Sequence, residues 1–174
     1  MRRLIAAFAV LLGSAIVLPH TSALNAQQPP SPAASSSRDI DRDVWTVIVD
    51  TVLHDDIVRM GSTYGPNAVI VTPASTQPIT AALDRWGRDM VTNKAVGTKA
   101  TVAFRFSRRQ DGPTTAFETG IFNYTTIDKA GVSKPGYYPF EELLVKIDGR
   151  WRVLMERQFA AVTEAEWAKL PAWR

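Results

Sequence analysis

The chain has 174 residues, with 20 basic and 17 acidic side chains, two histidines and no cysteine. The missing cysteines exclude disulfides, thiolate zinc sites, thiol nucleophiles and covalent c-type haem. No run of Lys or Arg appears and the charges nearly balance, so neither a nucleic acid nor an anionic membrane is indicated as a partner.

Taken in order, Arg2 and Arg3 precede an apolar run over residues 4–18. Small residues follow at Thr21-Ser22-Ala23 and Leu24-Asn25-Ala26. This is the pattern of a secretory signal peptide over residues 1–26, too short to span a membrane. It predicts an exported protein, periplasmic or secreted, with no membrane anchoring after cleavage. Removing Arg2 and Arg3 leaves 18 basic against 17 acidic side chains, a net of +1. His20 leaves with the leader, so His54 is the one histidine of the mature chain and a multi-histidine metal site is excluded. Any Ser-His-Asp triad would have to use His54, and no nucleophile-elbow sequence accompanies it. Residues 27–37, QQPPSPAASSS, read as a Pro/Ser-rich linker. Residues 38–174 read as a single domain.

Residues 39–53 read as an amphipathic helix. Ile40, Val44, Val47, Ile48 and Val52 form its stripe, widened by Trp45, Val49 and Leu53. His54-Asp55-Asp56 breaks it, and a short helix over 56–60 ends at Gly61. Tyr64-Gly65-Pro66-Asn67 reads as a turn, residues 68–73 as a strand and 74–79 as a loop. Thr80 is placed to cap a helix reaching about residue 92, with Leu83, Trp86, Met90 and Val91 inward. Strands follow over 99–107 and 115–127, separated by a charged turn at 108–112. A loop over 128–136 leads into a hairpin closed by Asp148-Gly149, a type I′ turn. Thr163 and Glu166 form a capping box for a last short helix, which docks through Trp167 and Leu170. Helices first and strands last predict an α+β fold, with helices on one face of a curved, mainly antiparallel sheet.

A two-residue loop at Asp148-Gly149 would set Ile147 opposite Arg150, Val145 opposite Arg152, Leu143 opposite Leu154 and Glu141 opposite Glu156. Neither face of that hairpin is then uniformly apolar, so parts of both need covering.

The segments DDIVRMGSTYGPNAVIVTP, TAALDRWGRDMV, AFETGIFNY and KIDGRWRVLMERQ resemble the nuclear transport factor 2-like superfamily. Within it they are most similar to the SnoaL-like group and domain of unknown function 4440. The likeness covers most of residues 38–161. It implies a cone-shaped, cystatin-like roll with a short C-terminal helix, a deep pocket between helices and concave sheet, and a homodimer. In ketosteroid-isomerase-like members the proton-transferring Asp sits just before the Pro ending the first strand. Here that position is Thr72, before Pro73, and a hydroxyl cannot replace a carboxylate as general base.

The candidate catalytic residues are Glu118, Glu141 and Glu156. Glu118 interrupts an otherwise apolar strand and shares a face with Gly120, Phe122 and Tyr124. It is either a pocket carboxylate or half of an ion pair with Arg105 or another arginine. Glu141 and Glu156, if opposed, must share a proton or be compensated by Arg105, Arg152 or Arg157, unless a bulge separates them. Tyr64, Trp86, Glu118, Tyr124, Glu156 and Gln158 are the expected ligand-binding residues, and Tyr137 and Tyr138 are further aromatic candidates. His54-Asp55-Asp56 reads as a helix break capped by Asp56. No metal site and no cofactor is expected. Three functions fit. One is an exported domain holding a small, largely apolar molecule. Another is a cyclase, isomerase or hydratase using pocket carboxylates. The third is a homodimeric interaction domain.

Overall fold

Asp148 and Gly149 both adopt positive φ, 49° and 77°, and close the predicted type I′ turn. The computed structural model describes residues 32–173, with side chains from Ser36 onward. The expected leader and residues 27–31 of the linker lie outside the described residues. The turn joins β5 (Ser133–Ile147) to β6 (Arg150–Gln158). The other strands are β1 (Tyr64–Val71), β2 (Thr76–Pro78), β3 (Lys99–Asp111) and β4 (Thr115–Ile127). They form one six-stranded sheet in the order β2-β1-β6-β5-β4-β3. Every neighbouring pair is antiparallel except β1 and β6, which run parallel.

The first helix is α1 (Pro32–Ile40), a π-helical turn (Asp41–Trp45) and α2 (Thr46–His54) in succession. It begins inside the stretch read as linker. Proline suits the first helical position because its missing N–H would be unpaired there anyway. The π turn packs Asp43, Val44 and Trp45 into the interior. α3 (Ile57–Gly61) is capped by Asp56, whose carboxylate accepts from the Arg59 N–H at 3.0 Å. α4 (Ile79–Ala95) starts directly after Pro78 with no side-chain cap, so Thr80 does not play that part. Its inner face carries Ile79, Ala82, Leu83, Trp86 and Met90. Val91 is 71% exposed and Leu53 on α2 is 53% exposed, so neither belongs to the stripes assigned to them.

Two other expectations change. Tyr64 to Asn67 is the first half of β1, not a turn. Asn67 takes φ 58°, and the pairing with β6 is irregular between Tyr64 and Val69. The Gly-Pro-Asn composition thus marks a break in a strand rather than its beginning. Residues 108–111 continue β3 instead of turning. At the centre Trp45 packs on Phe104, Phe106 and Phe140 at ring-centroid distances of 4.7, 5.1 and 5.4 Å. Burying each such ring contributes roughly 2–3 kcal/mol. The last helix, α5 (Glu164–Ala168), has the predicted capping box. Trp167 packs on Tyr137 at 5.9 Å, and Arg105 donates to the carbonyls of Trp167, Ala168 and Leu170.

Candidate functional site

One residue decides which carboxylates meet. The β5–β6 ladder runs as expected from Ile147–Arg150 to Leu144–Val153, then skips Leu154 and resumes at Leu143–Met155. A bulge moves every later side chain to the opposite face. Glu142 therefore faces Glu156, and Glu141 faces Arg157, which it meets at 3.5 Å on the outer side. The expected Glu141–Glu156 pair does not exist. Glu142 takes its place and was passed over because the unbroken register set it opposite Met155.

Glu142 and Glu156 are buried at one side of a cavity of about 310 Å³. The cavity lies between the inner sheet face and helices α2, α3 and α4. Tyr64, Trp86, Tyr124, Glu156 and Gln158 all line it, as does Tyr138, whereas Tyr137 packs outside against α5. Ile48, Val52, Met60, Val102, Phe104 and Phe122 supply apolar walls. A volume of this size takes a molecule of roughly ten non-hydrogen atoms, counting about 30 Å³ for each as in liquid water.

The two carboxyls have unlike surroundings. Glu156 accepts from the Tyr64 hydroxyl at 2.6 Å and from the Gln158 amide at 2.5 Å. Burial raises its pKa, and these donors pull part of the way back. Glu142 Oε2 has no hydrogen-bond partner among the described residues. Burial, then the charges of Glu156 and Glu118, hold the Glu142 carboxyl well above the usual carboxylate range. Burial raises both carboxyls, and Glu142 lacks the donors that hold Glu156 down, so Glu142 is the member of the pair better placed to keep a proton. The Tyr64 phenol is raised well above its ordinary value by burial and by both glutamates, so it stays a donor.

Glu118 is fully buried but lies outside this cavity. A second bulge explains its partner. Between Phe106 and Arg108 the β3–β4 ladder skips Ser107, which turns Arg109 inward against Glu118 and leaves Arg105 outside. Arg109 Nε donates to Glu118 Oε1 at 2.8 Å, and Trp45 Nε1 donates to Oε2 at 2.6 Å. The same guanidinium reaches Asp41 at 2.8 Å. Asp111 lies close by, its Oδ2 accepting from the Ser37 hydroxyl. Burial pushes the Glu118 carboxyl up to about 8, with Asp111 adding to the shift and Arg109 opposing it. The ion-pair reading holds, with Arg109 in place of Arg105. Glu118 is therefore a structural group and not a wall of the cavity.

The remaining candidates stand elsewhere. Thr72 follows β1 and its hydroxyl accepts from the Ser75 N–H at 3.1 Å, closing a turn outside the cavity. His54 is exposed on α2 and contacts Asp50. Among the described residues no group of three or more His, Asp or Glu is placed to hold a metal.

Solved structures share this architecture at low identity. A function-unknown protein from Mycobacterium tuberculosis matches at 13% identity and TM-score 0.63, over 82% of this chain and 82% of its own. A nuclear transport factor 2-like protein of unknown function from Shewanella oneidensis matches at 14% identity and TM-score 0.56, over 71% of this chain and 98% of its own. The fold is that of the nuclear transport factor 2-like proteins. A ketosteroid isomerase-like protein from Erwinia carotovora atroseptica shares this nuclear transport factor 2-like fold at 17% identity and TM-score 0.53, over 76% of this chain and 98% of its own. No family model and no curated protein matches the chain. Among the described residues no helix is long and apolar enough to cross a membrane.

Proposed function

We propose that this chain is an exported binding domain that holds a small, largely apolar molecule in its cone. The observation that carries the reading is the cavity of about 310 Å³, with aromatic and aliphatic walls and one polar side. Such a cavity orients a ligand through a few polar groups while its walls supply the affinity. Here those groups are Glu142, Glu156, Tyr64 and Gln158. Trp86 lines the cavity, so its fluorescence is a direct reporter. Titration with a panel of small aromatic and alicyclic compounds is expected to change Trp86 emission and raise Tm. At a hundredfold excess over Kd the stabilisation is about 2.7 kcal/mol. If no compound in the panel shifts either signal, the reading is wrong.

A second use of the same cavity is proton transfer, favoured by the unlike surroundings of Glu142 and Glu156. In a cyclase, isomerase or hydratase Glu156 would take the proton and Glu142 would return one.

A homodimer remains part of the proposal. Bulge and alternation together place Phe117, Ile121, Leu143 and Met155 on the outer sheet face, with Phe117, Leu143 and Met155 in one cross-strand row. An apolar row of this kind suits a second copy of the chain. Sedimentation is expected to give a dimer that Leu143→Arg converts to monomer with its far-UV spectrum unchanged. A wild-type monomer at high concentration would remove this element.

A further inference from the structure

We infer that the cavity is built for an organic cation, a lipophilic ammonium whose charged end sits between Glu142 and Glu156. The inference rests on the binding reading above and names its ligand class. Of the side chains lining the cavity, three are acidic, Asp89, Glu142 and Glu156, and none is Lys, Arg or His. Glu142 Oε2 is a buried acceptor with no partner among the described residues. A buried acceptor of this kind is costly until something donates to it.

The molecule contains its own comparison. Glu118 is buried as deeply, and there the chain supplies a cation: Arg109 at 2.8 Å, with the Trp45 N–H completing the site. At the Glu142–Glu156 pair it supplies a phenol, an amide and no positive charge. Both glutamates line the cavity, so a cation can reach them from there. Aromatic faces complete the arrangement. Trp86, Phe122, Tyr124 and Tyr138 line the walls, and the faces of such rings attract a desolvated ammonium.

Other ligand classes fit less well. A carboxylate or phosphate would be desolvated beside two acids and no base. A metal ion would find too few ligands, because among the described residues no group of three or more His, Asp or Glu is placed to hold one and Ca²⁺ takes six or more oxygens. A neutral polar molecule gains one hydrogen bond and leaves the like-charge pair holding its proton. An ammonium instead lets Glu142 release that proton to solvent, so the pair becomes two carboxylates facing one cation. Binding is then proton-linked. The ionisable groups facing the pair are Tyr64 from β1 and, farther off, Glu118 from β4. Asp89 on α4 and the phenols of Tyr124 and Tyr138 lie along the same cavity, while α2, α3 and β3 present only apolar side chains to it.

The test compares three molecules of one shape by calorimetry on the full chain: naphthylmethylamine, naphthylmethanol and naphthoic acid. The amine is expected to bind at least about tenfold tighter than the alcohol near pH 8. Its affinity should fall toward pH 6, and its binding heat should depend on the buffer because a proton is released. The acid should not bind. Glu142→Gln should abolish both the amine preference and the buffer dependence, with its far-UV spectrum unchanged. Equal binding of amine and alcohol, or an amine heat independent of buffer, overturns the cation inference and leaves the binding reading intact. Failure of all three molecules to bind, together with a silent panel, overturns both.

Discussion

Arg109→Met is expected to lower stability by about 3–5 kcal/mol at pH 8, the cost of stripping the cation from a buried ion pair. The guanidinium holds Glu118 and Asp41 at 2.8 Å each and lies over the Phe106 ring at 4.6 Å. Methionine keeps much of the packing on Phe106 and removes the charge. The loss should shrink in mild acid, and the sign follows from Glu118. In the unfolded chain its proton leaves near 4.5, and in the folded chain near 8. Between those values the folded state binds more protons than the unfolded one. The wild type is therefore most favoured by this group below pH 4.5, and it loses that advantage as pH rises toward 8. Glu142 and Glu156, both raised, act in the same direction. Without Arg109 the Glu118 carboxyl is harder still to ionise, so the penalty grows with pH. Urea unfolding of both proteins from pH 6 to pH 10, across the folded-state value near 8, checks this. A penalty independent of pH, or one below about 1 kcal/mol, would mean the ion pair does little for stability.

Gly120→Ala is expected to cost about 2–3 kcal/mol through overpacking. A Cβ at Gly120 would lie 2.2 Å from the Arg105 carbonyl oxygen and 3.0 Å from both Phe106 Cα and the Phe140 ring. Two of these neighbours are backbone, so relief requires moving β3 next to its bulge. That bulge is what brings Arg109 to Glu118, so the mutation should also weaken the buried ion pair. Gly61→Ala is the control. Its methyl would meet only Leu83 Cδ1 at an ordinary 3.5 Å, and it should be neutral within a few tenths of a kcal/mol. Equal midpoints for the Gly120 and Gly61 variants would contradict the close approach.

The sequence made the architecture legible but misassigned the carboxylates, and one physical cause accounts for both site errors. Alternation within β4 is unbroken, so the placing of Glu118, Gly120, Phe122 and Tyr124 on one face holds along the whole strand. Alternation in β3 and β6 is broken once each, at Ser107 and Leu154. Past such a break every odd-even inference inverts, which removed Arg109 from view and exchanged Glu142 for Glu141. Hydropathy does not reveal the break in β6: Phe140, Leu144, Trp151 and Val153 share the inner face in either register, and skipping Leu154 moves Met155 out and brings Glu156 in beside Glu142. Nothing points to Ser107 either, because the Arg-Arg run after it reads naturally as a turn. Two aromatic members of the cavity were easier to find, since Trp86 follows the helical spacing of α4 and Tyr124 the unbroken alternation of β4.

The parallel pairing of β1 with β6 carries a consequence for assembly. The first strand of the sheet beyond the helices hydrogen-bonds to the last, so its docking edge does not exist until residues 150–158 have been made. Closing so long a loop before any reward makes the early half a late joiner on the folding pathway. A nascent chain stopped short of β6 would leave β1 and β2 stranded.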